Sequence, residues 1–144
     1  MMTETKFVHY KVGNEQHDNE HWELFVQLNG IIDCIKRGQF HLINADDIAS
    51  KLLKHFTEEH EHMVKMGFPY IDSHVKDHER MLKRLSYLVN EAHDQRFLLV
   101  DMAARELENL FVDHIDHFDR QYADFERSLA HGLEPSLTGQ ASRE

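Results

Sequence analysis

Two pairs of metal-binding side chains stand out, His55 with Glu59 and His74 with His78, each spaced by one helical turn. Residues four apart share a helix face, so each pair can aim two donor atoms at one point. Between the pairs stands Gly67-Phe68-Pro69, which reads as a helix stop followed by a helix start. A turn there folds the second helix back on the first and lets the four donors meet. Imidazole and carboxylate at this spacing suit coordination of a first-row transition metal. A lone histidine is better read as a surface or hydrogen-bonded core residue. Spacing is what separates some of the 13 histidines in these 144 residues from that background.

Four helices are needed to position such donors, and the apolar periodicity supplies them. Residues 1–17 read as an irregular N-terminal arm, with Phe7, Val8, Tyr10 and Val12 able to lie across a bundle. Asp18 reads as an N-cap, followed by a stripe of His21, Leu24, Phe25, Leu28, Ile31, Ile32 and Ile35 that ends near Arg37-Gly38. Asn44 reads as the next N-cap, with Asp46 and Asp47 complementing the helix dipole. The second stripe is Ile48, Leu52, His55, Phe56, Glu59, Met63 and Met66, stopped by Gly67. Pro69 opens a third helix with Ile71, His74, Val75, His78, Met81, Leu82, Leu85 and Val89 inward, and Asn90 to Asp94 is the next break. The fourth helix presents Leu99, Met102, Ala103, Leu107, Leu110, Phe111, His114, Ile115, Phe118, Tyr122, Phe125 and Leu129. The expected fold is all-α, an antiparallel up-down-up-down four-helix bundle over 18–131, with a disordered tail over 132–144.

Every helix thus carries donors on its apolar stripe: His21; His55 and Glu59; His74 and His78; His114 and Asp119. A buried carboxylate such as Glu59 costs several kcal/mol or is forced neutral unless something pairs with it. A metal ion removes that cost. Five imidazoles and two carboxylates exceed the needs of one four-coordinate zinc and suit two first-row ions in higher coordination. One point of geometry stands against a regular fourth helix. His114 and Asp119 are five apart, about 140° round an α-helix, so both reach one site only through a widened π-turn or a break near Asp116 to Phe118. The other histidines, His9, His17, His41, His60, His62, His93, His117 and His131, read mostly as surface residues. His62, on the His55 face, and His117, beside Asp119, are the candidates for a supporting role.

Composition narrows the field. A formal charge of -10 disfavours nucleic acid and an anionic membrane surface as partners. No apolar run of spanning length and no signal peptide is read. The single cysteine, Cys34, lies among Ile31, Ile32 and Ile35 and is expected buried; a cytoplasmic location follows as the expectation.

The set H, HxxxE, HxxxH and HxxxxD, with His55-Phe56 and Gly67-Phe68-Pro69, resembles the hemerythrins, specifically the bacterial single-domain kind. The resemblance runs from about Phe7 to Phe125 and includes Val12-Gly13, Asp18 before His21, and Tyr122 after Asp119. It implies a non-heme di-iron site that binds O2 reversibly as a hydroperoxide, for storage, delivery or sensing, rather than an enzyme. It further implies His74, His78 and His114 on one iron, His21 and His55 on the other, and Glu59 and Asp119 bridging both beside an oxo or hydroxo group. Two irons wanting about six donors each leave about one position free in that set. Leu24, Phe56, Phe111 and Ile115 are expected to line the O2 pocket. An imidazole-rich set favours Fe(II) more than the carboxylate-rich sites of ferritin-like oxidases do. NO and small anions are further ligands of such a centre. The chain departs from many relatives at Leu110, where Trp is common, and at Phe111, where Leu is common and Phe should narrow the pocket. His17 and Glu20 replace an apolar residue and a Gln. The alternatives are a di-iron oxidase, peroxidase or nitric-oxide-handling enzyme, and a metal buffer using the surplus histidines.

Overall fold

The computed structural model describes residues 1–132, whose regular elements are all helices, with no strand among them. The tail expected over 132–144 lies, from residue 133 on, outside the described residues. A short helix α1 (Glu4–Phe7) and a 3-10 turn (Val8–Tyr10) lead to α2 (Glu15–Lys36), α3 (Ala45–Met66) and α4 (Ile71–His93). The fourth rod is made of α5 (Phe97–His114), a π-turn (Ile115–Asp119) and α6 (Arg120–Ala130). Each rod packs on its predecessor across a short link, and α2 against α5 closes the ring. This is the expected four-helix bundle.

The caps explain most of the boundaries. Asn44 accepts the Asp47 amide at 3.0 Å and starts α3 as read from the sequence. Gly67 ends α3 with φ at +71°, a left-handed conformation that a side chain disfavours. The N-cap of α2 is Asn14, whose side chain accepts from the His17 amide at 3.1 Å, and not Asp18. Asp18 lies inside the helix and accepts instead from the amides of Val12 and Gly13, at 2.8 and 3.3 Å, which pins the arm. The extra turn places His21 well inside a formed helix rather than in its first turn. Pro69 does not open α4; it sits in the turn before Tyr70, and the helix starts at Ile71.

The arm is tighter than an irregular segment. Phe7 and Val12 are buried, with Phe7 ring centroids 5.2 Å from Trp22 and 5.8 Å from Phe25, while Val8 points to solvent. Arg120 donates to the carbonyls of Lys11 and His9, and Arg127 to that of Val12. Gly13 has a φ of +91°, which a side chain disfavours, and a Cβ there would also push aside the end of the Arg127 side chain, 2.7 Å away.

The apolar stripes run close to expectation, with a few corrections. In α4 the buried series His74, Met81 and Leu88 repeats every seven, beside His78 and Leu85, so Leu88 replaces Val89 inside. In the fourth rod Val100, Ala103, Ala104 and Leu107 form the core face, and Met102 and Leu129 are exposed. Cys34 is only half-buried, at the edge of that stripe. Two apolar clusters result. The large one includes Leu52, Phe56, Met81 and Phe111; the small one comprises Met63, Phe68, Tyr122 and Phe125. Along α3, His55 and Glu59 fall between Leu52 and Met63, so a polar layer interrupts the core.

Candidate metal centre

The polar layer holds all seven side chains singled out by spacing. His21 comes from α2, His55 and Glu59 from α3, His74 and His78 from α4, and His114 and Asp119 from the two ends of the π-turn. All seven are buried, and His21, His74 and His114 are 0% exposed. The widened turn at Ile115–Asp119 is the irregularity the five-residue spacing requires. The Arg120 amide bonds the Ile115 carbonyl, five back, which brings Asp119 round to the face of His114.

Their donor atoms form two groups that share a carboxylate: Glu59, His74, His78, His114 and Asp119 in one, His21, His55 and Glu59 in the other. Within each group the donors lie within 4.8 Å of one another. Glu59 Oε1 stands 2.8 Å from His74 Nε2 and 2.9 Å from His78 Nε2, and its Oε2 is 3.7 Å from His55 Nε2. Asp119 repeats the arrangement: Oδ1 is 3.0 Å from His114 Nε2 and 3.1 Å from His74 Nε2, and Oδ2 is 3.1 Å from His21 Nε2. Each carboxylate therefore turns one oxygen to two of the three histidines His74, His78 and His114, and the other to one of the pair His21 and His55.

These contacts are convergence more than pairing. Both Asp119 oxygens, Glu59 Oε2, His55 Nε2 and His21 Nε2 lack a properly directed hydrogen bond despite their close neighbours. His78 Nε2 and His114 Nε2 meet at 3.1 Å, where at most one proton can sit. Unpaired buried polar atoms in such number are costly. Donors bound about 2.1 Å from one ion at right angles lie about 3.0 Å apart, close to the separations found. The residues fit a pair of metal ions.

The field of the protein is consistent with ligation. Burial would raise the Glu59 carboxyl, and Asp119 adds to that, but His74 and His78 hold it well below the usual range. Asp119 behaves alike: burial opposes its charge, while His114, His21 and His74 keep it ionised. Burial pushes His78 down to about 4. His114 goes the other way: burial would lower it, yet Asp119 and a hydrogen bond to Asp77 raise it to about 10.

Two anchors escaped the sequence reading. Asp77 Oδ2 lies 2.7 Å from His114 Nδ1, and Glu20 Oε2 lies 3.2 Å from His55 Nδ1. A carboxylate on Nδ1 fixes the ring and leaves Nε2 as the donor. A third surprise is His17, expected at the surface. It is half-buried, stacks on Tyr122 at 5.5 Å, and lies 6.3 Å from the His55 ring and 6.4 Å from His21. His62 pairs with Glu126 at 2.5 Å and sets its ring 5.9 Å from that of Tyr122.

The four apolar residues read as a pocket are all buried. The rings of Phe111 and His21 meet nearly perpendicular with centroids 5.4 Å apart, and Phe56 stacks on His78 at 3.8 Å. Leu24 lines a groove with His55 and Glu20, and Ile115 opens the π-turn.

Among curated proteins, a bacteriohemerythrin of Clostridium acetobutylicum is 26% identical over 128 residues, covering 80% of this chain and 95% of that relative. The resemblance read from the donor motifs is borne out by this match. No family model matches the chain, and no solved structure does.

Proposed function

We propose that this chain is a hemerythrin-type protein that holds two iron ions and through them binds O2 reversibly, rather than transforming a substrate. The observation that carries the reading is the two-faced placement of Glu59 and Asp119, each with one oxygen toward His74 and a second toward the His21–His55 side. In this reading His74, His78 and His114 serve one iron, His21 and His55 the other, and both carboxylates serve both. When bound, the irons, with their oxo or hydroxo bridge, supply the electrons and the free coordination position that reversible O2 binding needs.

The remaining work belongs to the chain. Asp77 and Glu20 hold His114 and His55 with Nε2 presented. Leu24, Phe56, Phe111 and Ile115 set buried apolar groups against the centre and carry no acid of their own. O2 is the natural ligand, NO and small anions the competitors, and the cytoplasm the setting; no helix among the described residues is long and apolar enough to cross a membrane.

A second reading, an oxidase, peroxidase or nitric-oxide-handling enzyme, draws on His17, a titratable ring beside the two-histidine half. A metal buffer is the third. Anaerobic loading with Fe(II), followed by cycles of air and deoxygenation, separates them. A carrier gives a visible absorption band that vanishes on each deoxygenation. An oxidase turns ferric and stays so, and a buffer gives no band.

A further inference from the structure

A cleft open to the surface descends between α2, α3 and α6 to the two-histidine half of the centre. Its walls carry Glu20, Glu58 and Glu126 with His17 and His62, and its floor is His55 with Glu59. No lysine or arginine lines it. The neighbouring groove that also reaches His55 differs in this respect, since it carries Lys51 and Lys54 beside Leu24. Glu126 stands at the mouth, bonded to His62 Nε2 at 2.5 Å and to Asn14 Nδ2 at 3.1 Å. The rings of His17 and His62 both rest on Tyr122, at 5.5 and 5.9 Å, which holds them on one wall. At the floor, His55 Nε2 and Glu59 Oε2 are buried and without a hydrogen-bond partner.

We propose that this cleft is the route by which a divalent cation, Fe2+, reaches the buried pair, with Glu126 and His62 as the receiving pair and His17 as the relay to His55 and Glu59. The proposal rests on reading the buried donors as a di-metal centre. A hydrated cation cannot cross an apolar bundle wall without losing water that nothing replaces. Along this path each lost water is exchanged for a carboxylate oxygen or an imidazole nitrogen. A cleft lined by one sign of charge between low-dielectric walls also concentrates the opposite ion. The hydrogen bond between His62 and Glu126 must open to admit it, and the floor atoms that lack partners are where it comes to rest.

Timed loading tests this. The 144-residue chain, stripped of metal and checked by circular dichroism to be helical, is mixed anaerobically with Fe2+. Samples are quenched with a chelator at intervals, and retained iron is counted. Glu126→Gln and His62→Ala each load about tenfold more slowly at low salt. They reach the parent's plateau and melt at the parent's Tm. The difference narrows as salt rises. Glu106→Gln, a charge removed outside the cleft, loads at the parent's rate. Parent-rate loading by the Glu126→Gln, His62→Ala double variant overturns the route. So does a plateau that falls in step with the rate, because the two residues would then hold the centre together rather than pass ions to it. A parent chain that retains no iron sinks the di-metal reading and the route together. A normal parent plateau with unchanged variant rates sinks the route alone.

Discussion

Asp77 and Glu20 decide how two of the imidazoles behave. Asp77→Asn keeps the shape but weakens the grip on His114 Nδ1, and iron affinity should fall about 10–100-fold in a chelator competition. Glu59→Ala and His74→Ala remove an atom from the heart of the set, and both should abolish stoichiometric loading, as measured by metal analysis. Protons report the same geometry. His114 is raised to about 10, so below that pH it carries a proton that iron must displace. Its pairing stabilises the metal-free fold below the ordinary histidine value of about 6.5, and that contribution is lost as pH rises through the folded one. Loading at neutral pH should therefore release a proton from His114 and tighten as pH rises. Calorimetry in buffers of different ionisation enthalpy reads the release, which should shrink in Asp77→Asn. His78, held near 4, should release none. Six of the seven donors were legible because they fall in phase with apolar stripes, and Asp119 by its spacing of five from His114. The anchors were not: Asp77 falls on the buried face of α4, three after His74 and four before Met81, but its partner lies on another helix, which no spacing within α4 reveals.

At the scale of the helix, the π-turn is the element most exposed to test. Five residues in a regular helix would carry Asp119 about 140° from His114, whereas four leave about 40° and six about 120° on the opposite side. Deleting His117 should then give a regular helix that still presents Asp119 and still loads iron. Inserting an alanine after His117 should cost the metal while circular dichroism shows the helix content retained. This irregularity could be read from the sequence because a spacing of five contradicts the period of the helix that carries it. The helix starts were less legible. Asn14, Asp18 and Asn44 are all competent caps, and only the contact of Asp18 with the Val12 and Gly13 amides removes it from the choice at α2. The α3 stop is unambiguous. Gly67→Ala forces a side chain into left-handed backbone and should cost about 1 kcal/mol of stability by thermal melting, with iron content unchanged.

Across the whole molecule, a layer of histidine and carboxylate separates two apolar clusters that would otherwise be one core. Such a layer stabilises the bundle only when its lone pairs are satisfied. Stripping the metal with a chelator should lower Tm by about 10 °C, given tight binding to the native state alone. The bundle itself was legible without the metal, from four stripes and their breaks; the ordering of the arm was not, since it depends on Arg120 and Arg127 reaching back across the chain. That clasp has a mechanical corollary. Arg120 adjoins Asp119 in the chain and grips the carbonyls of His9 and Lys11, so tension applied to the opening residues is delivered one peptide bond from a carboxylate of the centre. An immobilisation handle or a fused reporter spliced ahead of Met1 would pull on that lever.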